Sequence, residues 1–110
     1  MVRSKSEVII ANALHYNGLD YEYEPELKLE GKVKRPDFKR EEYDTGEVWY
    51  WEHCGMMSDD RYAKRWSDKE KFYAKHGIKR GQNLIVTEEY AGEGLDSYQI
   101  NEMIKDNFML

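Results

Sequence analysis

The chain has 110 residues, 40% of them hydrophobic and 35% charged, with a formal net charge of −5, a size that fits one core and predicts a single domain over residues 1–110. No apolar run approaches the roughly 20 residues that span a bilayer, and the charged start lacks the apolar region and small-residue cleavage site of a signal peptide, so a cytoplasmic location is expected. The lone cysteine, Cys54, excludes an internal disulfide and a multi-cysteine zinc site.

Residues 4–16 read as a helix, because Glu7, Ile10, Ala11 and Leu14 recur at helical spacing and Asn17-Gly18 closes the end. Residues 21–24 begin a polar-aromatic strand. Pro25 and then Glu30-Gly31 interrupt the extended stretch with a turn, and residues 33–39 are expected to form a strand carrying Asp37. Pro36 has no amide to donate to a ladder, which suits an edge or a bulge. After the turn signal Asp44-Thr45-Gly46, residues 48–54 are the most strand-like stretch, rich in aromatics and closed by Gly55. Ser58 is the expected cap of the next helix, with Asp59 and Asp60 in its first turn and Gly77 as its stop. Residues 83–87 read as a buried strand. Gly92-Glu93-Gly94 then leads into a last amphipathic helix with Ile100, Met103, Ile104 and Phe108 on one face. The order is αβββαβα, an α/β (α+β) fold.

Charge is unevenly spread. From Asp59 to Arg80 eight basic residues face four acidic ones, and Lys28, Lys32, Lys34, Arg35, Lys39 and Arg40 bracket Asp37. The acidic sum argues mildly against non-specific coating of nucleic acid, which draws on Lys and Arg. A solvated mixed surface is the plain reading of such clusters.

Three charges fall on apolar faces. Glu7 lies within the apolar stripe of the first helix, where it either needs a partner or completes a capping box with Ser4. In the long helix Tyr62, Trp66, Lys69 and Tyr73 share one face. Lys69 there either snorkels to water or faces carboxylates. In residues 48–54, alternation sends Val48, Tyr50, Glu52 and Cys54 to one side and Trp49, Trp51 and His53 to the other, so Glu52 enters an apolar face and needs a cation or hydrogen bonds. Asp37 and Glu52, 15 positions apart in expected neighbouring strands, are a carboxylate pair of the type that holds a hard divalent cation.

With Arg35-Pro36-Asp37-Phe38, then Trp51-Glu52-His53 at a strand end inside an αβββαβ order, the chain resembles the PD-(D/E)xK nuclease superfamily. The resemblance covers nearly the whole chain. Arg3-Ser4-Lys5-Ser6-Glu7, Trp66-Ser67-Asp68-Lys69 and Asn83-Leu84-Ile85-Val86-Thr87 look like a branch found as standalone nucleases and as modules beside helicases.

The resemblance implies a restriction-endonuclease-like αβββαβ core with a C-terminal helix and a Mg²⁺- or Mn²⁺-dependent endonuclease that hydrolyses DNA phosphodiesters with metal-activated water. RNA stays open beside DNA as the substrate. Asp37, Glu52 and the backbone carbonyl of His53 would be metal ligands, with Glu7 reaching the metal directly or through water. The family expects lysine two residues after the glutamate, where this chain has Cys54; some branches supply that lysine from the following helix, which makes Lys69 the candidate. Arg35, Lys39, Lys64 and Arg65 are the residues expected to follow the nucleic-acid backbone, since phosphate contacts position without reading sequence. A homodimer and a helicase or phage-encoded partner are further expectations.

Other readings compete. A non-catalytic nuclease-fold module that binds nucleic acid or a protein partner is the alternative, and a purely structural interaction domain with an acidic face is a third. A Cys54 nucleophile with a His53 base is disfavoured because strand neighbours point apart. A zinc site from His53, Cys54 and His76 lacks paired spacing.

Overall fold

A computed structural model describes residues 4–108. Three helices and a mixed sheet make up the fold among the described residues, in the order α1 (Lys5–Tyr16), β1 (Glu22–Tyr23), β2 (Leu27–Leu29), β3 (Lys32–Lys34), β4 (Phe38–Glu41), β5 (Val48–Cys54), α2 (Asp60–Lys75), β6 (Leu84–Glu88) and α3 (Ser97–Phe108). The main sheet runs β1-β4-β5-β6. Its first three strands pair antiparallel, while β6 joins β5 in parallel after the crossover through α2. A parallel pair needs such a crossover. With β2 and β3 set aside as an inserted hairpin, the order is the expected αβββαβα.

That hairpin corrects the expected strand over residues 33–39. Lys32–Lys34 pairs with Leu27–Leu29 outside the main sheet, and only Phe38–Glu41 joins β5. Arg35-Pro36-Asp37 is the corner between them. Pro36 is fully buried there and has no N–H for a ladder. Glu30 and Gly31 both take positive φ, 52° and 74°, the two-residue hairpin turn whose twist matches its strands.

The second correction is a one-residue shift of a helix cap. Asp59, not Ser58, caps α2, accepting from the amides of Arg61 and Tyr62 at 2.9 and 3.1 Å. Ser58 Oγ instead accepts from Ala91 N at 2.7 Å. A carboxylate is the stronger acceptor at a positive helix end.

Period-two alternation in the central strands divides the core into two clusters. Phe38, Trp51 and Ile85 pack against Ile10 and Leu14 of α1 and Ile100 and Ile104 of α3. Cys54 and Leu84 pack against Trp66 and Tyr73 of α2, with Leu27 and Leu29 of the hairpin beside them. Strand β5 therefore sits between two layers. Most aromatics are spent in this packing: Tyr21 and Tyr23 on Phe38, Trp49 on Phe108, Trp66 on Tyr73. No helix among the described residues is long and apolar enough to cross a membrane.

Candidate active site

The β4–β5 register pairs Phe38 with Trp51, so one further step along both strands sets Asp37 opposite Glu52. The ladder stops there. Asp37 Oδ2 accepts the amide of His53 at 2.6 Å, a side chain taking the place of the next ladder bond. The Pro36 corner thus ends one strand where its carboxylate can cap the neighbour.

Glu52 is 5% exposed, and both its donors come from α2. Tyr73 Oη donates to Oε2 at 2.8 Å, and Lys69 Nζ lies 2.6 Å from the same oxygen. The Lys69 ammonium also sits 5.6 Å from the Tyr73 ring centroid. A helix of i, i+4 spacing delivers Lys69 and Tyr73 together to one carboxylate.

These groups line a cleft of about 360 Å³ bounded by Arg35, Asp37, Glu52, His53, Cys54, Tyr62, Arg65, Trp66 and Lys69. Burial raises the Asp37 carboxyl to about 7, with the Glu52 charge and the more distant Glu7 adding to it, while the His53 amide opposes. The Cys54 thiol is pushed up to about 12 by burial and then by the Glu52, Glu88 and Asp37 charges. Such a thiol is no nucleophile at neutral pH. The phenol of Tyr73 is likewise held protonated by burial and by Glu52, which keeps it a donor.

Among the described residues no three His, Cys, Asp or Glu side chains form a metal-binding group. The donors present are two carboxylates and a carbonyl. Tyr50 N bonds to Asn83 O and Cys54 O to Glu89 N, so alternate residues of β5 direct their backbone groups toward β6. His53 directs its own toward the Asp37 side, carbonyl included. An all-oxygen set of two carboxylates, a carbonyl and water suits Mg²⁺ or Mn²⁺. A buried Asp37 carboxyl held toward its protonated form by burial and by the neighbouring Glu52 charge is also the setting a divalent cation relieves.

Glu7 stands apart from the cleft lining. Its amide donates to Ser4 Oγ at 3.1 Å as in a capping box, and its carboxylate accepts from Ser4 Oγ and Tyr23 Oη, each at 2.8 Å. Arg3 of the same stretch lies outside the described residues. Of the four expected backbone-following residues, Arg35 and Arg65 line the cleft and Lys39 and Lys64 do not. Lys64 is 72% exposed and pairs with Asp68 at 2.8 Å. That i, i+4 pair was readable from spacing.

Sequence reasoning missed Tyr73 as a partner of Glu52, although Tyr73 lies on the Lys69 stripe. It also missed the residues around the His53 ring. Nδ1 is 2.7 Å from Thr87 Oγ1 and Nε2 is 2.7 Å from Glu89 Oε1, which further accepts from Ser6 Oγ. No local pattern marks these groups, because the parallel register of β5 and β6 brings them together.

No family model matches the chain. Over 78 residues, 70% of the chain, it is 35% identical to the uncharacterized protein MJ1519 of Methanocaldococcus jannaschii. The match covers 6% of that relative, so the chain spans a small part of its length.

Proposed function

We propose that this chain is a metal-dependent nuclease of the PD-(D/E)xK type, with a restriction-endonuclease-like core, that hydrolyses phosphodiester bonds of DNA. One observation carries the reading: Lys69, from the helix, reaches Glu52 at 2.6 Å in a cleft that also holds Asp37, while Cys54 occupies the strand position where the family has lysine. The βαβ crossover and the carboxylate pair at the end of β4 and β5 support the same fold. The match to a small part of a long relative supports a unit that also occurs within larger proteins.

Asp37, Glu52 and the His53 carbonyl would hold Mg²⁺ or Mn²⁺. When bound, the cation supplies an activated water and offsets charge on the phosphate. Lys69, anchored on Glu52, keeps donors for a phosphate oxygen and lowers the cost of the charge that gathers there. Tyr73 fixes the other side of Glu52 Oε2. Glu7 adds negative charge near Asp37 from outside the cleft.

Arg35 and Arg65 flank the cleft and would grip the backbone on either side of the cut. The Arg35→Ala/Arg65→Ala pair should therefore flatten the salt dependence of DNA affinity by about two phosphate contacts, at roughly 0.9 per contact in the logarithmic slope. Lys64→Ala, outside the cleft lining and 72% exposed, should leave the slope unchanged. Fluorescence anisotropy across a salt series in EDTA reads both.

The deciding experiment compares wild type with Glu52→Gln on labelled single-stranded, double-stranded and branched DNA, with RNA alongside, in Mg²⁺, Mn²⁺ or EDTA. Cleavage that needs metal and disappears in the variant is the expected result. Wild-type rates in Glu52→Gln would remove the site.

The buried Cys54 thiol at the lysine position favours one second reading, a nuclease-fold module that binds nucleic acid without cutting it. Its signature is metal-independent binding with no cleavage by wild type.

A further inference from the structure

The His53 ring is the most fully engaged polar group beside the cleft, its side chain 4% exposed with a partner on each nitrogen. Donor and acceptor roles along its contacts are constrained from both ends. An indole N–H can only donate, so Trp51 Nε1 gives its proton to Thr87 Oγ1 at 3.2 Å. Thr87 is buried, and its own hydroxyl proton needs an acceptor; Nδ1 of His53 is 2.7 Å away. At the other end Nε2 faces the Glu89 carboxylate, which accepts and never donates when ionised. The Ser6 hydroxyl donates to that same carboxylate oxygen, and it is the first cause of the lowered Glu89 pKa.

From this geometry we infer that Trp51, Thr87, His53, Glu89 and Ser6 form a directed hydrogen-bond chain that locks His53 as the Nε2–H tautomer and makes Glu89 the positioning residue of the cleft.

Glu89 touches neither carboxylate of the site; it acts through two partners. Through the His53 ring it fixes the backbone whose amide binds Asp37 Oδ2. Through Ser6 it ties the first turn of α1 to the sheet, and Ser6 is the neighbour of Glu7. Glu89 thereby ties the His53 backbone beside Asp37 to the first turn of α1 that carries Glu7, a second link beside the Tyr23–Glu7 bond at 2.8 Å. Outer partners of this kind orient ligands without contacting what they bind.

The role of Glu89 in metal binding rests on the nuclease reading; the tautomer does not. Nitrogen-15 imidazole spectra of the metal-free protein are expected to show an unprotonated Nδ1 and a protonated Nε2 for His53. Glu89→Gln, whose amide oxygen still accepts from Nε2–H, should keep that pattern, and Glu89→Ala should lose it. Titration with Mn²⁺ alone should give Glu89→Gln an affinity near wild type and Glu89→Ala one about 10–100-fold weaker. A protonated Nδ1 in the wild type, or an unaltered spectrum in Glu89→Ala, overturns the chain. Equal Mn²⁺ affinity in Glu89→Ala and wild type overturns the positioning role. Absence of Mn²⁺ binding by wild type overturns the metal reading and, with it, that role, while the spectra decide the chain on their own.

Discussion

Asp37→Asn is expected to abolish metal-dependent cleavage and, at the same time, to raise the melting temperature of the metal-free protein at pH 8. Loss of the rate should be on the order of 10³-fold or more, because a catalytic metal contributes several kcal/mol and each 1.36 kcal/mol is tenfold. The stability gain follows from the raised carboxyl. In the folded protein Asp37 titrates near 7, held there by burial and then by the Glu52 charge, against 3.8 when free of those surroundings. Between those values the unfolded chain has released the proton and the folded chain keeps it. The unfolded state binds fewer protons, so stability falls as pH rises from about 4 to 7 and is level above. Asparagine avoids that loss, and its amide oxygen still accepts from His53 N. The gain at pH 8 should be roughly 1–3 kcal/mol, vanishing below pH 4. Calorimetry in EDTA at pH 4, 6 and 8 measures it. A variant that melts below wild type at pH 8 would contradict the raised Asp37 carboxyl that burial and the Glu52 charge produce.

Lys69→Ala carries the other large effect. The cleavage step should slow by on the order of 10²–10³-fold, the usual loss for one preorganised donor at developing charge, with DNA affinity changed less than tenfold. Stability should also fall. Glu52 would remain buried with only the Tyr73 hydroxyl, and stranding a buried charge costs about 3–5 kcal/mol when burial is complete. Lys69 is 29% exposed, so water can enter in its place and roughly 1–3 kcal/mol is expected. Lys69→Arg separates the two losses: a guanidinium still pairs with Glu52 but is a planar fork where a compact ammonium stood. It should restore most of the stability and little of the rate. Single-turnover cleavage beside urea denaturation of the three proteins tests this, and an undiminished rate in Lys69→Ala would remove lysine from the chemistry.

Much of this site was visible in local periodicity. Glu52 stood out because alternation put a carboxylate between Tyr50 and Cys54, and Lys69 because it shared a stripe with Tyr62, Trp66 and Tyr73. Both anomalies are local, and both side chains turn toward the cleft. Asp37 was harder to place. Its stretch read as one strand with Val33, whereas the proline at its corner divides that stretch between two sheets. The long-range partners were out of reach. Ser6 and Glu89 are 83 positions apart, and Thr87 meets His53 only through a parallel register that neither strand encodes alone. Summed charge also misled in part, since it does not say which way a side chain points: Arg65 faces the cleft and Lys64, one residue earlier, faces water.

Successive residues of β5 are committed to opposite layers, Trp51 and His53 to the side of α1 and Glu52 and Cys54 to the side of α2. A change in either layer reaches the cleft through a neighbour on the same backbone. Evolution of this strand is therefore constrained from two directions at once, and adaptation to a hotter or colder habitat has little room there. The freedom lies at exposed positions such as Lys28, Lys32 and Val33 of the hairpin and Lys105 and Asp106 of α3, where residues can drift without disturbing the strand that divides the molecule.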